Sequence, residues 1–201
     1  MSESSVQPQV SNWNIANILT FARIAMVPLF VWALFVDSGE SVMWRLVACG
    51  IFLVAAITDK VDGHLARSRG LITDLGKLLD PIADKALTGA AFISLSILGD
   101  IWWWVTITIL GRELIITLMR LVIARYAVLP ASRGGKLKTV LQMLALGGFI
   151  LPLFALPVFL WWIAAALLAA ALVVTVVTGV EYLIVGYRVY SQGKRDQTIG
   201  Q

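Results

Sequence analysis

Six apolar runs dominate the chain, at about residues 18–36, 42–59, 78–98, 101–124, 137–154 and 158–187. Roughly 20 apolar residues carry an α-helix across the hydrocarbon core of a bilayer. A helix also bonds its own backbone groups, which lipid cannot do. The runs therefore predict an all-α integral membrane protein with six transmembrane helices, the last long enough to tilt or to emerge into water. Composition agrees, because 59% of the 201 residues are hydrophobic, 14% are charged and the mean hydropathy is +0.86. A soluble domain of this length cannot hide so much apolar surface.

No polar stretch is long enough for a second core, so one membrane domain is expected over residues 13–190, between polar tails at 1–12 and 191–201. Residues 1–12 lack the basic region and small-residue cleavage site of a signal peptide, so the first apolar run is expected to remain in the mature protein. The single Cys49 excludes an intrachain disulfide and a cysteine metal cluster, and reads as a small core residue. No internal repeat is visible, and no nucleic-acid partner is expected.

Basic residues set the orientation. Arg67, Arg69 and Lys77 lie between runs two and three, Arg125, Arg133, Lys136 and Lys138 between runs four and five, and Arg188, Lys194 and Arg195 after run six. The other side holds Arg45 among Asp37, Glu40 and Asp100. The excess of positive charge puts both termini and both basic loops in the cytoplasm. Trp44, Trp102, Trp103, Trp104, Trp161 and Trp162 fall at the opposite face, as an interfacial aromatic belt would. The polar connections are expected to be short, except at 66–77 and 125–136.

Within this oily chain, the segment "AITDKVDGHLARSRGLITDLGKLLDPIADKA" places four carboxylates beside apolar runs. Asp59 lies fifteen residues from Trp44, about 22 Å along a helix, and so near the cytoplasmic edge of the hydrocarbon. Asp59 and Asp62 are three apart, and Asp80 and Asp84 four apart, so each pair shares a face of its own helix. A helical hairpin would bring the two pairs together. Four ionised carboxylates in a partly dry site must protonate, pair or bind cations. Oxygen-only donors point to hard divalent ions, Mg²⁺ or Mn²⁺, and two metals held this way suit displacement at phosphorus. Gly63 and Ala66 would let a ligand approach the helix, and Arg67 offers phosphate a fork of donors. A solvated acidic helix end is the plainer reading; it accounts for Asp74, but not for four acids at helical spacing around glycine and arginine.

Asp59, Asp62, Gly63, Ala66, Arg67, Gly76, Asp80 and Asp84, in that spacing, resemble the signature of the CDP-alcohol phosphatidyltransferase family, and the six-span architecture extends the likeness over nearly the whole chain. What the resemblance implies is an enzyme of the cytoplasmic membrane that transfers a phosphatidyl group from a CDP-linked lipid such as CDP-diacylglycerol to an alcohol, releasing CMP. It implies two divalent cations on Asp59, Asp62, Asp80 and Asp84, at the cytoplasmic ends of helices two and three. Asp84 would also be the general base. By the same likeness Gly63, Arg67 and Thr73 contact the cytidine diphosphate, Asn17 and Thr20 in "NILTFAR" face the nucleotide, and Arg23 meets a phosphate.

A second cluster bears on the acceptor. "GRELIITLMR" and "GKLKTVLQ" carry Arg112, Arg120, Lys136 and Lys138, cations that point to an anionic acceptor, with Lys136 and Lys138 the more exposed. Arg112 lies eight positions, about 12 Å, deeper than Arg120, and Glu113 is expected to pair with a base because a lone buried charge is costly. The two segments resemble those of the phosphatidylglycerophosphate-forming branch of the family, whose acceptor is sn-glycerol 3-phosphate. The plainer reading is that these cations only set topology, which suits Lys194 and Arg195. Other readings stay in view: the same chemistry with an inositol phosphate or another polar alcohol, a divalent-cation transporter, or a membrane scaffold. The four aspartates cluster at one face and no repeat is visible, which counts against the transporter. His64 reads as a surface residue and Pro81 as a first-turn proline. The Ala-rich "WIAAALLAAAL" of run six reads as close helix packing, with a homodimer expected. Glu181 has no partner that the sequence names.

Overall fold

Lipid leaves the backbone little choice but helix, and helix is what the chain forms. The structure, a computed structural model, describes residues 15–68, 74–123 and 133–199; the side chains at 16, 60–68, 74–81, 84, 121–123, 133, 187 and 190–199 lie outside that description. Six α-helices follow in order: α1 Ile15–Phe35, α2 Val42–Ser68, α3 Asp74–Ile97, α4 Trp103–Ile123, α5 Arg133–Ile150 and α6 Val158–Ile199. The described residues contain no strand.

Among the described residues, three stretches are long and apolar enough to cross a membrane: Asn17–Gly39, Val42–Asp59 and Val158–Gly186. In α3, α4 and α5 the apolar pattern is interrupted by Asp80, Asp84 and Lys85, by Arg112, Glu113 and Arg120, and by Lys136 and Lys138. Helix ends also depart from the sequence pattern. α2 continues through Arg67 to Ser68, α3 begins at Asp74 and α5 at Arg133, so most of the stretch 66–77, expected as a connection, is helical. Likewise residues 191–199, expected as a tail, continue α6. Polarity ends contact with lipid but does not end a hydrogen-bonded ladder.

The chain forms two compact units, Met1–Ala91 and Phe92–Gln201. In the first, α1 and α2 pack as an antiparallel hairpin. The Phe30 and Phe52 rings lie 5.8 Å apart, and Trp32 meets Trp44 edge-on at 4.9 Å. A 3-10 turn at Val36–Gly39 joins them, with left-handed backbone at Asp37, Ser38 and Gly39. Buried Arg45 donates from Nε to the Gly39 carbonyl oxygen at 2.7 Å, so this cation is fixed by the turn it follows.

In the second unit, α6 packs against α4 and α5. A Cβ on Gly148 would come within 3.0 Å of the Ala164 Cβ, so α5 and α6 approach closely because both residues are small. Buried Thr106 on α4 shares a hydrogen bond with Ser96 on α3 at 2.7 Å. Trp102, Trp104, Trp161 and Trp162 gather at one end of this unit, around an apolar cavity of about 470 Å³. That grouping is what an interfacial belt would produce, and none of the expected site residues whose side chains are described lines the cavity.

Candidate functional site

In the first unit, α2 carries Asp59, Asp62, Gly63 and Arg67, and α3 carries Asp80 and Asp84. Both acid pairs thus retain helical spacing, one turn apart on their own helices. The side chains of Asp62, Arg67, Asp80 and Asp84 are outside the described residues, as is Thr73 altogether. Asp59 is described. Its Oδ1 lies 2.7 Å from NH1 of Arg23 on α1, and the carboxylate side chain remains 34% exposed while that of Arg23 is fully buried. Asp59 is therefore oriented by the arginine without being occluded.

Asn17, Thr20 and Arg23 are all buried, and their spacing of three puts them along one face of α1. A buried polar stripe on a helix this apolar is costly unless each group has a partner, and all three have one. For Arg23, expected at a phosphate, the observed partner is a carboxylate.

The second cluster lies wholly in the second unit, and there the structure supplies contacts the sequence did not. Arg112 donates from NH1 to Glu113 Oε1 at 3.1 Å, from NH2 to Thr178 Oγ1 at 3.0 Å and from Nε to the Thr175 carbonyl at 3.2 Å. The expected pairing of Glu113 with a base is present twice, since Lys138 Nζ from α5 meets the same Oε1 atom. Lys138 was expected to be exposed, yet it is 6% exposed; the carboxylate on α4 draws its ammonium inward. Lys136, two residues earlier, is exposed.

Arg120 is exposed, and its guanidinium carbon lies 5.0 Å over the ring of Tyr182. Arg112 and Lys138 thus share a single carboxylate, Glu113, with Arg120 held nearby on the Tyr182 ring, and the cluster has positive charge to spare. Gln142 extends the network by donating to Thr175 Oγ1 at 3.1 Å. Glu181 is exposed.

The sequence reading missed Thr175, Thr178, Gly179 and Tyr182, which line one face of α6. A Cβ on Gly179 would fall 3.0 Å from Arg112 Cγ and 3.2 Å from its Nε, so glycine makes the channel in which Arg112 lies. The signal available was the spacing T-x-x-T-G-x-x-Y in an otherwise aliphatic run.

Residues 13–183 match the CDP-alcohol phosphatidyltransferase family. The chain belongs to that family. This phosphatidyltransferase is 52% identical, over 170 residues, to a protein of Mycobacterium tuberculosis (strain H37Rv) called "Probable phosphatidylglycerophosphate synthase"; the match covers 85% of this chain and 80% of that one. It is 36% identical over 180 residues to the "CDP-diacylglycerol--glycerol-3-phosphate 3-phosphatidyltransferase" of Bacillus subtilis (strain 168), covering 85% of this chain and 93% of the relative. A Rickettsia bellii protein of the same name is 36% identical over 178 residues, covering 84% and 93%.

Proposed function

We propose that the protein transfers the phosphatidyl group of CDP-diacylglycerol to sn-glycerol 3-phosphate, giving phosphatidylglycerophosphate and CMP. The names of the relatives support the reaction. The observation that carries the acceptor is the cluster on α4, α5 and α6, where Arg112 and Lys138 share the Glu113 carboxylate and Arg120 rests on the Tyr182 ring, three cations to one carboxylate. Such a surplus suits an acceptor that is itself a phosphate. In this reading Arg120 and Lys136, both exposed, meet the phosphate directly, while Arg112 and Lys138, held by Glu113, add positive field from behind. Inositol phosphate is the competing acceptor, since it is anionic too.

Asp59, Asp62, Asp80 and Asp84 form the metal site in this reading. The donor set fits: oxygen ligands only, in two helical pairs, with Asp59 oriented by Arg23 and still accessible. Bound Mg²⁺ or Mn²⁺ would supply neutralisation of the pyrophosphate and of the charge gathering on CMP. Arg67 offers the donor's phosphate a planar fork, Gly63 leaves the helix surface low, and Asn17, Thr20 and Thr73 complete the nucleotide side. Asp84 takes the proton of the acceptor hydroxyl as its oxygen bonds to the phosphatidyl phosphorus. The bond from that phosphorus to the bridging oxygen breaks, and its electron pair leaves with CMP.

The same reading has six spans in the cytoplasmic membrane, with both termini and the chemistry on the cytoplasmic side. Helix length supports it, since α3, α4 and α5 have 24, 21 and 18 residues, or about 36, 31 and 27 Å, against a core of about 30 Å. The exposed Ala166, Ala169 and Ala170 on α6 are the small residues through which a homodimer would pack.

The test is purified protein with CDP-diacylglycerol and Mg²⁺, scored for CMP release with glycerol 3-phosphate, glycerol, inositol and inositol 1-phosphate. Release with glycerol 3-phosphate and not with glycerol supports the reading. Cation flux in liposomes without CDP-lipid, and no CMP with any acceptor, would favour the transporter instead.

A further inference from the structure

Arg112 and Arg120 stand eight positions apart on α4, about 12 Å along the helix, yet both guanidinium groups lie over one ring. Tyr182 on α6 has the Arg112 carbon 5.8 Å from its centroid and the Arg120 carbon 5.0 Å away. Both distances are within cation–π range. The tyrosine itself is 8% exposed, so its ring is a fixed surface.

The two arginines differ in what else holds them. Arg112 has a carboxylate, a hydroxyl and a carbonyl as acceptors. Arg120 has none of these among the described residues, and Glu181, beside the tyrosine, forms no ion pair with it there. The ring face is thus what places Arg120. A cation–π contact uses no N–H donor, so the full fork of Arg120 stays available to a phosphate. An arginine on an exposed, flexible stem would otherwise lose rotamer freedom on binding, and a ring that holds it beforehand lowers that loss.

We propose that Tyr182 is a positioning residue for the acceptor: its ring presets the guanidinium of Arg120 for the acceptor's phosphate. This rests on the reading of Arg120 as an acceptor ligand. Thr175, Thr178 and Tyr182, spaced three and four apart, make one face of α6 the cradle for both arginines.

The experiment uses the full-length protein in lipid nanodiscs with CDP-diacylglycerol and Mg²⁺, and titrates glycerol 3-phosphate against wild type, Tyr182→Leu, Tyr182→Phe, Arg120→Ala and Tyr182→Leu/Arg120→Ala. Tyr182→Leu should raise the acceptor KM about three- to tenfold, with the donor KM moving much less, and Tyr182→Phe should restore most of that loss. The double variant should be no worse than Arg120→Ala, because the ring acts through the arginine. Should Tyr182→Leu fail to insert, Tyr182→Met is read by the same criteria. A wild-type acceptor KM in the leucine variant, with a raised one in Arg120→Ala, overturns the proposal and leaves the acceptor reading standing. An unchanged acceptor KM in Arg120→Ala overturns both. Equal losses in the phenylalanine and leucine variants, spread over kcat and both KM values, would mark a plain packing residue and overturn the proposal.

Discussion

The guanidinium of Arg23 on α1 is fully buried and meets Asp59 on α2 at 2.7 Å, joining the two helices through the first acid of the family signature. Removing one partner of such a pair leaves the other charge buried and uncompensated, at a cost of about 3–5 kcal/mol. Asp59→Asn should therefore lower stability as well as activity. Arg23→Met/Asp59→Asn should recover much of the stability and none of the turnover. Thermal unfolding in detergent, with divalent cations chelated, separates the two effects. A midpoint for Asp59→Asn equal to wild type would show that the pair does not organise the hairpin.

Glu113 should behave as a structural anion. Glu113→Gln strips the carboxylate from Arg112 and Lys138 together and should destabilise the second unit by about 3–5 kcal/mol, measured by thermal unfolding. Lys138→Ala should resemble it. Lys136→Ala should instead leave stability near wild type and weaken the acceptor alone, an effect that shrinks as salt screens the exposed charge.

Two glycines on facing elements make a matched comparison. Gly179→Ala puts a methyl group against Arg112 Cγ and Nε; overpacking of this kind costs about 1–3 kcal/mol, and the displaced arginine should raise the acceptor KM. Gly111→Ala meets nothing within 4 Å and should be neutral or slightly stabilising, since alanine is the better helix former by about 1 kcal/mol. Melting curves and acceptor titrations of the two variants check both statements.

The helices were legible because lipid imposes a length and an apolar character on any segment that crosses it, and the acid pairs because helical spacing can be counted. Helix ends were not: α2 runs past Arg67 to Ser68 and α3 begins at Asp74, inside the stretch 66–77 expected as a connection. The Arg23–Asp59 pair joins two motifs from different helices, and local periodicity carries no information on which residues meet across a hairpin. The cradle on α6 was hidden for another reason. Thr175 and Thr178 bond back to the carbonyls of Ala171 and Val174, both at 2.6 Å. Threonine is thereby an ordinary tenant of an apolar helix, and its second role toward Arg112 appears only once α4 is packed alongside.

The metal assignment predicts that chelation stops turnover and that Mg²⁺ or Mn²⁺ restores it. Ca²⁺ should restore it poorly, because its coordination is larger and looser. Asp62→Asn, Asp80→Asn and Asp84→Asn should each reduce kcat by at least a hundredfold while the protein still inserts. Full activity in any one of them at saturating Mg²⁺ would remove that residue from the site.

A competition between two anionic acceptors decides which alcohol the enzyme uses. Purified protein receives CDP-diacylglycerol, Mg²⁺ and equimolar labelled glycerol 3-phosphate and inositol 1-phosphate, and the lipid products and CMP are counted together. Label from glycerol 3-phosphate should enter the lipid phase, with one CMP released for each lipid formed and little inositol product. Preferential incorporation of the inositol compound would contradict the acceptor assignment while leaving the family chemistry in place.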